Sequence, residues 1–500
     1  MARNLASEPV FATSEIQGDI LPGLPKNHEH LIFFHIQNVG KFKKFVKGLS
    51  LTSMQECLAK RAAIKVKKAA HDDTIIPTPG LNIAFTFKGL ETLGVAGMNA
   101  VPSLKAFKDG MASRQQILND PPSGQWTTLK PDPDLHGVFV LAGASHAEVV
   151  DIISLRLAPP ADNGWKRLGE QIGQVRPDPV RGHEHFGYAD GVSQPGVRGT
   201  IDDGSAFIPS TGPDDDQGME GQDLLWPGEF VFGYPGQDEM KPITEKGPVA
   251  APPVPFMNNG SFFVFRRLAQ LVPEFNALVN NASSAIAGSS DKASPDLLGA
   301  QMVGRWKSGA PIINAPMQDD ATIADGTAKV NAFEFNGDRT GLKCPWAAHV
   351  RKAYPRNDVL GNTTPSDDES NAAESKTQTH RLMRRGIAFG PEVTEDEAMS
   401  GTSAGGDQTR GLLFMCYQTS LDKQFEFVQQ RWADTTDFTQ PGSGIDPIIG
   451  QSANVLRPFL GAAPFSGVAA NKPTMQLKGF VHMQGGAYFF VPSIKELKAI

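Results

Sequence analysis

Apolar and polar positions along the chain fall into short alternating runs, each followed by a longer stretch with helical spacing. HLIFFHIQ, from His30 to Gln37, reads as a strand, and Lys41 to Leu58 follows as a helix. Leu81 to Phe87 and Gly137 to Ala144 repeat the strand pattern, with helical stretches from Leu90 and from His146 onward. The second half returns to the scheme. GSFFVFRRLAQLVPEFNALV from Gly260 and RGLLFMCYQTSLDKQFEFVQQRW from Arg410 each run from strand into helix, and a closing hairpin is expected around Gly485 and Gly486. Such alternation fits either parallel βαβ units or an α+β arrangement with antiparallel sheets. Residues 199–228, 237–255 and 361–378, rich in Gly, Pro or polar residues, read as linkers or loops.

Composition narrows the class. A chain of 500 residues with 40% hydrophobic and 20% charged residues can bury a sizeable core, and its length favours two or more domains. The net charge of −7, with no basic run interleaved with aromatics, argues against a nucleic-acid partner and mildly favours cationic substrates or metal ions. No stretch approaches the roughly 18 apolar residues of a membrane span. The opening MARNLASEPVFATSE lacks the apolar core of a signal peptide, so the protein is expected to be intracellular or to have an absent or unconventional leader. Sequons at Asn259, Asn281 and Asn362 are compatible with secretion but near the number chance supplies. Cys57, Cys344 and Cys416 are too few and too widely spaced for a zinc site or a disulfide framework.

Three stretches carry candidate chemistry. In GHEHFGYADGVSQPG, from Gly182 to Gly196, Gly187 and Gly191 bracket Asp190, and a backbone without Cβ atoms can lie flat against a bulky ligand. The same pattern fits an aspartate in an Asx-turn. A further alternative makes His183, His185 and Asp190 a non-haem metal site, since HxH spacing puts two imidazoles on one strand face. CPWAAHVRKAYPR, from Cys344 to Arg356, places His349 in the middle of about two helical turns fenced by Pro345 and Pro355. Arg351 follows where it could meet an acidic group at the edge of whatever the imidazole binds. In HRLMRRGIAFGPE, Arg384 and Arg385 interrupt an apolar strand-like run, and buried arginine can stabilise a developing anion.

Taken in order, these motifs resemble the dye-decolorizing peroxidases, a haem peroxidase family, and most closely its larger fungal members. The resemblance extends from IQGDILPG at residues 16–23 to the C-terminal KGFVHMQGGAYFFVPS. It implies an α+β fold of two ferredoxin-like halves with antiparallel sheets and peripheral helices: residues 1–210, a linker at 211–228, and a haem-binding half at 229–500. It makes Asp190 the distal acid-base group, Arg384 its partner, and His349 the proximal iron ligand. Arg351 falls where these enzymes hold a haem propionate, Gly191 and Ser193 against the haem, and Leu412 and Phe414 on the apolar distal lining. Asp446 in GIDPIIG would orient the proximal imidazole.

The resemblance further implies one haem b per chain, held non-covalently since no CxxCH occurs. Hydrogen peroxide would generate a ferryl porphyrin radical that oxidises dyes, phenolic and other aromatic compounds. An aspartate base, with an ordinary pKa of about 3.9 against about 6.5 for histidine, predicts an acidic optimum. Trp432 matches a tryptophan that relays electrons from surface-bound dyes, although a helix-end tryptophan can equally pack on the core. Phe389 stands where several relatives carry tyrosine, so a second relay there is absent, and Tyr188 and Tyr354 read as structural. The acidic run at Asp367, Asp368, Glu369 and Glu374, or Asp214, Asp215 and Asp216, could bind Mn²⁺ as a reductant, though such runs are usually solvated loops. The fungal members place the protein outside the cell, as monomer or homodimer. A haem carrier with little turnover is the competing function, but storage needs neither Asp190 nor Arg384.

Overall fold

The computed structural model describes residues 8–72, 74–130, 132–199, 217–286, 295–327, 329–359, 366–406, 410–451, 457–460 and 474–500. Asp214, Asp215, Asp216, Asn362 and the start of the 211–228 segment lie outside them. Four N-terminal strands, β1 (His28–Ile36), β2 (Gly80–Phe85), β3 (Gly137–Gly143) and β4 (Trp165–Gln174), pair antiparallel in the order β4-β1-β3-β2. Two short strands, β5 (Gly196–Val197) and β6 (Leu224–Leu225), pair parallel. The second half contributes β7 (Ser261–Gln270), β8 (Met383–Arg384), β9 (Ile387–Phe389) and β10 (Gly411–Gln418). It ends with a separate pair, β11 (Arg457–Leu460) and β12 (Thr474–Leu477), then β13 (Val481–Val491). Its order is β13-β7-β10-β8, with β9 also on β10.

Both orders follow the 4-1-3-2 arrangement of a ferredoxin-like βαββαβ unit, with β13 as the fourth strand of the second. The fold is therefore α+β with two ferredoxin-like halves. They join where Phe490 of β13 pairs with Phe85 of β2. At the other side β4 comes against β9: a Cβ on Gly173 would stand 2.3 Å from Ile387 Cγ2. The strands thus wrap into a barrel.

Alternation along each strand sorts side chains to two faces. Phe33, Val140, Phe263, Phe265, Leu413, Met415, Tyr417 and Phe489 turn into the barrel. Phe34, Phe139, Phe262, Val264 and Phe490 face outward, under the helices. On the outward face of the second half, the β7 and β10 positions Arg266, Leu268, Gln270, Leu412 and Phe414 border a cavity.

Several local expectations change. The single helix over Lys41–Leu58 is two, Val39–Gly48 and Met54–Ala69, because Leu49 turns extended and Ser53 caps a new helix through a reciprocal capping box with Glu56. No hairpin forms at Gly485; β13 runs through it with a register shift between Met483 and Gly485. The described part of the expected linker packs into the core, with Leu224 and Leu225 fully buried. The acidic run is a helix, Asp367–Gln378, whose carboxylates in the first turn suit the positive end of the helix dipole, with Glu369 closing a capping box on Ser366. Cys57, Cys344 and Cys416 are free and buried, and no helix of the described residues is long and apolar enough to cross a membrane.

At Gly485, φ is +148° and a Cβ would lie 1.6 Å from the Thr128 carbonyl oxygen. Gly485→Ala is expected to lower stability by about 1–3 kcal/mol, read as a fall in the denaturant midpoint.

Candidate active site

The cavity encloses about 1610 Å³ between its walls, counting the mouth, and is bordered by β7 and β10, by the 184–193 stretch of the first half and by segments of the second half. Asp190, Gly191 and Ser193 line it, as do His349, Arg384, Leu412 and Phe414. Sequence motifs far apart in the chain therefore meet in one place: Arg384 Nη1 donates across 194 positions to Asp190 Oδ1 at 3.0 Å. The Gly191 amide donates to the same oxygen at 2.7 Å, which leaves Asp190 Oδ2 without a hydrogen-bond donor among the described residues. Both side chains are about one-third exposed.

Local structure explains the aim of each group. Gly191 sits at φ +79°, a conformation glycine adopts without strain, so the chain turns sharply past Asp190. Gln194 then clasps the backbone of Arg384 from both sides, donating to its carbonyl at 3.0 Å and accepting from its amide at 3.2 Å. That clasp ties the Asp190 loop to β8. Arg384 faces the cavity, whereas Arg385 turns the other way and donates to the carbonyls of Asp19 and Ile20.

His349 opens the helix His349–Ala353 as its first residue, not its middle, because the turn from Pro345 to Ala348 precedes the helix. Its Nδ1 stands 2.8 Å from Asp446 Oδ2, and Asp446 is fully buried. Asp446 Oδ1 accepts from the amides of Ile448 and Ile449 at 2.8 and 2.9 Å, so the carboxylate is fixed before it meets the ring. An imidazole whose Nδ1–H is given to a carboxylate presents Nε2 as a lone-pair donor. One turn later Lys352 is buried, donating to the Thr435 carbonyl and Ser443 Oγ, and desolvation lowers its pKa to about 7.

Arg351 does not line the cavity, and its expected role is corrected. All of its N–H groups are committed to Asp358, Asp338 and the Cys344 carbonyl, and the side chain is fully buried. In its place the structure puts Arg305 in the cavity wall. Arg305 donates to the Gly309 and Val330 carbonyls and to Asn331, has no carboxylate within ion-pair distance among the described residues, and is lowered to about 9 by burial and by Arg356 and Arg384 nearby. A buried, unpaired guanidinium is a natural seat for a ligand carboxylate. Sequence offered no sign of it, since its distinguishing property is the lack of a partner.

Trp432 is 4% exposed and lies beneath the surface rather than on it. It stacks on Phe438 at 5.4 Å and meets His380 edge-on at 5.2 Å, and His380 lines the cavity. Phe389 is buried under Arg267. Tyr188 and Tyr354 are buried in the cavity wall. The HxH alternative does not assemble: His185 Nε2 is bonded to the Phe389 carbonyl at 2.9 Å and desolvation lowers its pKa to about 4, while His183 is bonded to the Arg181 carbonyl. Among the described residues no group of three or more His, Cys, Asp or Glu side chains could hold a metal ion.

The cavity fits a haem. Its walls are dominated by apolar side chains, including Val303, Leu382, Phe425, Val428 and Ile448, and it holds a free imidazole nitrogen and an unpaired guanidinium for a carboxylate. Comparison with known proteins agrees. Residues 15–177 match the DyP dimeric alpha+beta barrel domain, and residues 243–441 match the Dyp-type peroxidase C-terminal domain. A dye-decolorizing peroxidase of Mycetinis scorodonius is 31% identical over 509 residues, covering 100% of this chain and 89% of that protein. One from Auricularia auricula-judae is 33% identical, covering 97% of this chain and 86% of its own. Among solved structures, an ancestral D-type dye decolorizing peroxidase superposes with a TM-score of 0.80 at 35% identity, covering 98% and 99% of the two chains. The fungal DyP-type peroxidase from Auricularia auricula-judae gives 0.77 at 30% identity, with 98% and 99% covered. The protein is thus an enzyme of the haem peroxidase class. It belongs to the dye-decolorizing peroxidase family, along nearly its whole length.

Two substitutions separate the arginines. Arg351→Leu strands Asp338 and Asp358 in the core and should cost about 3–5 kcal/mol of stability, measured by denaturant unfolding. Arg305→Leu leaves only neutral acceptors unpaired, so it should cost less stability than Arg351→Leu, and the folded protein should release haem faster, followed by transfer of haem to an acceptor protein.

Proposed function

We propose that Asp190 is the acid-base group and Arg384 the charge stabiliser of a hydrogen-peroxide-dependent oxidation of dyes, phenolic and other aromatic compounds. The observation that carries this is the 3.0 Å pair of Asp190 and Arg384 in the same apolar cavity as the His349–Asp446 pair. His349 would hold a non-covalent haem b through Nε2, and Arg305 would hold one of its carboxylates. The haem, when bound, supplies the iron at which peroxide is cleaved and stores the oxidising equivalents.

Asp190 Oδ1 is occupied by Arg384 and the Gly191 amide, so Oδ2 is the atom that takes a proton from hydrogen peroxide and returns it to the departing oxygen, which leaves as water. Arg384 stabilises the negative charge that builds as the O–O bond breaks. Leu412 and Phe414 exclude water beside them and strengthen both effects. Asp446 accepts the Nδ1 proton of His349 and raises its donor strength. Small reductants can enter the cavity directly. Electrons from bulky dyes would cross through Trp432, whose contact with His380 leads to the cavity wall.

Asp367, Asp368 and Glu369 are accounted for by their helix N-terminus, so Mn²⁺ oxidation has no built site among the described residues. An extracellular site of action is part of the proposal and rests on the resemblance to fungal members. A haem carrier is disfavoured because an acid-base group and a cation meet over the cavity.

Asp190→Asn, with haem content matched to the parent, should slow the reaction with peroxide by about 10²–10⁴-fold in stopped-flow mixing; an unchanged rate would turn the reading toward haem storage. Peroxide-driven turnover should peak on the acid side of neutrality, and an alkaline maximum would remove Asp190 from this role. Trp432→Phe should lower turnover of bulky dyes while sparing small phenols.

A further inference from the structure

Glu184 lies six residues before Asp190, in the wall of the cavity, and none of the chemistry above uses it. Its carboxylate is surrounded by donors from two elements. Oε2 accepts from the Phe186 amide at 2.8 Å and from Gln270 Nε2 of β7, and Oε1 accepts from the Tyr188 amide at 2.9 Å. The backbone of Glu184 closes the same turn: its amide donates to the Tyr188 carbonyl at 3.0 Å, and its carbonyl accepts from Gly187 at 2.8 Å and from Arg176. From that anchored turn the chain passes directly to Asp190, whose amide donates to the Gly182 carbonyl at 3.0 Å.

We infer that Glu184 is a positioning residue that holds the Asp190 loop in its working geometry by gathering the Phe186 and Tyr188 amides and fastening them to β7 through Gln270. The inference rests on the acid-base reading of Asp190. An ionised carboxylate is acceptor-only and matches these donors; a protonated one turns an O–H against a donor. The anchor therefore depends on charge. Desolvation raises the pKa of Glu184 above the ordinary carboxylate value, against the pull of its hydrogen bonds, with the Asp190 charge adding to the rise. As pH falls through that raised value, Glu184 gains a proton and one donor is lost from the anchor. The other charged groups on this side are Arg384, paired with Asp190; Arg305 and Arg266, in the cavity wall; Arg176, on the Glu184 carbonyl; and Lys307, beside Gly187. Arg266 is paired with Asp120.

The test compares the parent holoenzyme with Glu184→Gln and Asp190→Asn at matched haem content, following the peroxide rate constant against pH and hydrogen exchange at the Phe186 and Tyr188 amides. The glutamine amide sets a donor against one of the loop donors. The parent is expected to lose rate on the acid side while still above the ordinary carboxylate range, and Glu184→Gln to abolish that fall, to slow the peroxide reaction at least tenfold and to speed exchange at those amides. A rate within twofold of the parent, or a slower rate that keeps that acid-side fall, overturns the inference. If Asp190→Asn is as fast as the parent, the acid-base reading fails instead. Should Glu184→Gln not fold, Gln270→Leu removes one donor without altering the loop; a severalfold slower peroxide reaction supports the anchor and an unchanged rate overturns it.

Discussion

The register of β7 against β10 is the constraint on which the site depends. Phe414 pairs with Arg266 and Leu412 with Leu268, so one face of this antiparallel ladder carries all four side chains to the cavity. The intervening Phe265, Leu413 and Met415 fill the barrel. A slip of one residue would exchange the faces, burying Arg266 and Gln270 in an aromatic core and pushing phenylalanine into the cavity. The size and apolarity of the barrel interior thus hold the wall of the site in place, since the alternative register buries charge without partners.

Around that wall the charges are graded by how completely they are satisfied. Arg351 and Asp446 are enclosed and fully bonded, and they serve as framework. Asp190 and Arg384 are paired with each other but remain about one-third exposed to the cavity. Arg305 has only neutral acceptors. Asp190, Arg384 and Arg305, whose capacity for charged partners the protein does not exhaust, all border the cavity.

Much of this was legible in the chain, and the part that was not has identifiable causes. Asp190, His349 and Arg384 stood out because glycines, prolines and adjacent arginines mark backbone that must bend or charge that must be accounted for. The ferredoxin-like halves were implied by the family resemblance, since period-two runs leading into helical ones fit parallel βαβ units equally well. The role expected for Arg351 failed on angle. Two positions after His349 on an α-helix lies about 200° round the axis, away from the imidazole and into the core. The hairpin expected at Gly485 failed because glycine there relieves a contact with the Thr128 carbonyl, inside a continuous strand. Gln194 and Glu184 were invisible because their partners come from distant segments, Arg384 for Gln194 and Gln270 for Glu184, and Arg305 because its distinguishing property is that it lacks a carboxylate partner.

The position of β13 has a consequence for assembly. It is the last strand among the described residues, yet it lies centrally, bonded to β7 along its length and joined to β2 of the first half. Until residue 491 has left the ribosome, both neighbours present unpaired edges to solvent, the kind of surface that invites association between nascent chains. A protein built this way cannot complete the sheet until that distant strand exists, and its vulnerable interval lengthens with every residue inserted between β7 and β13.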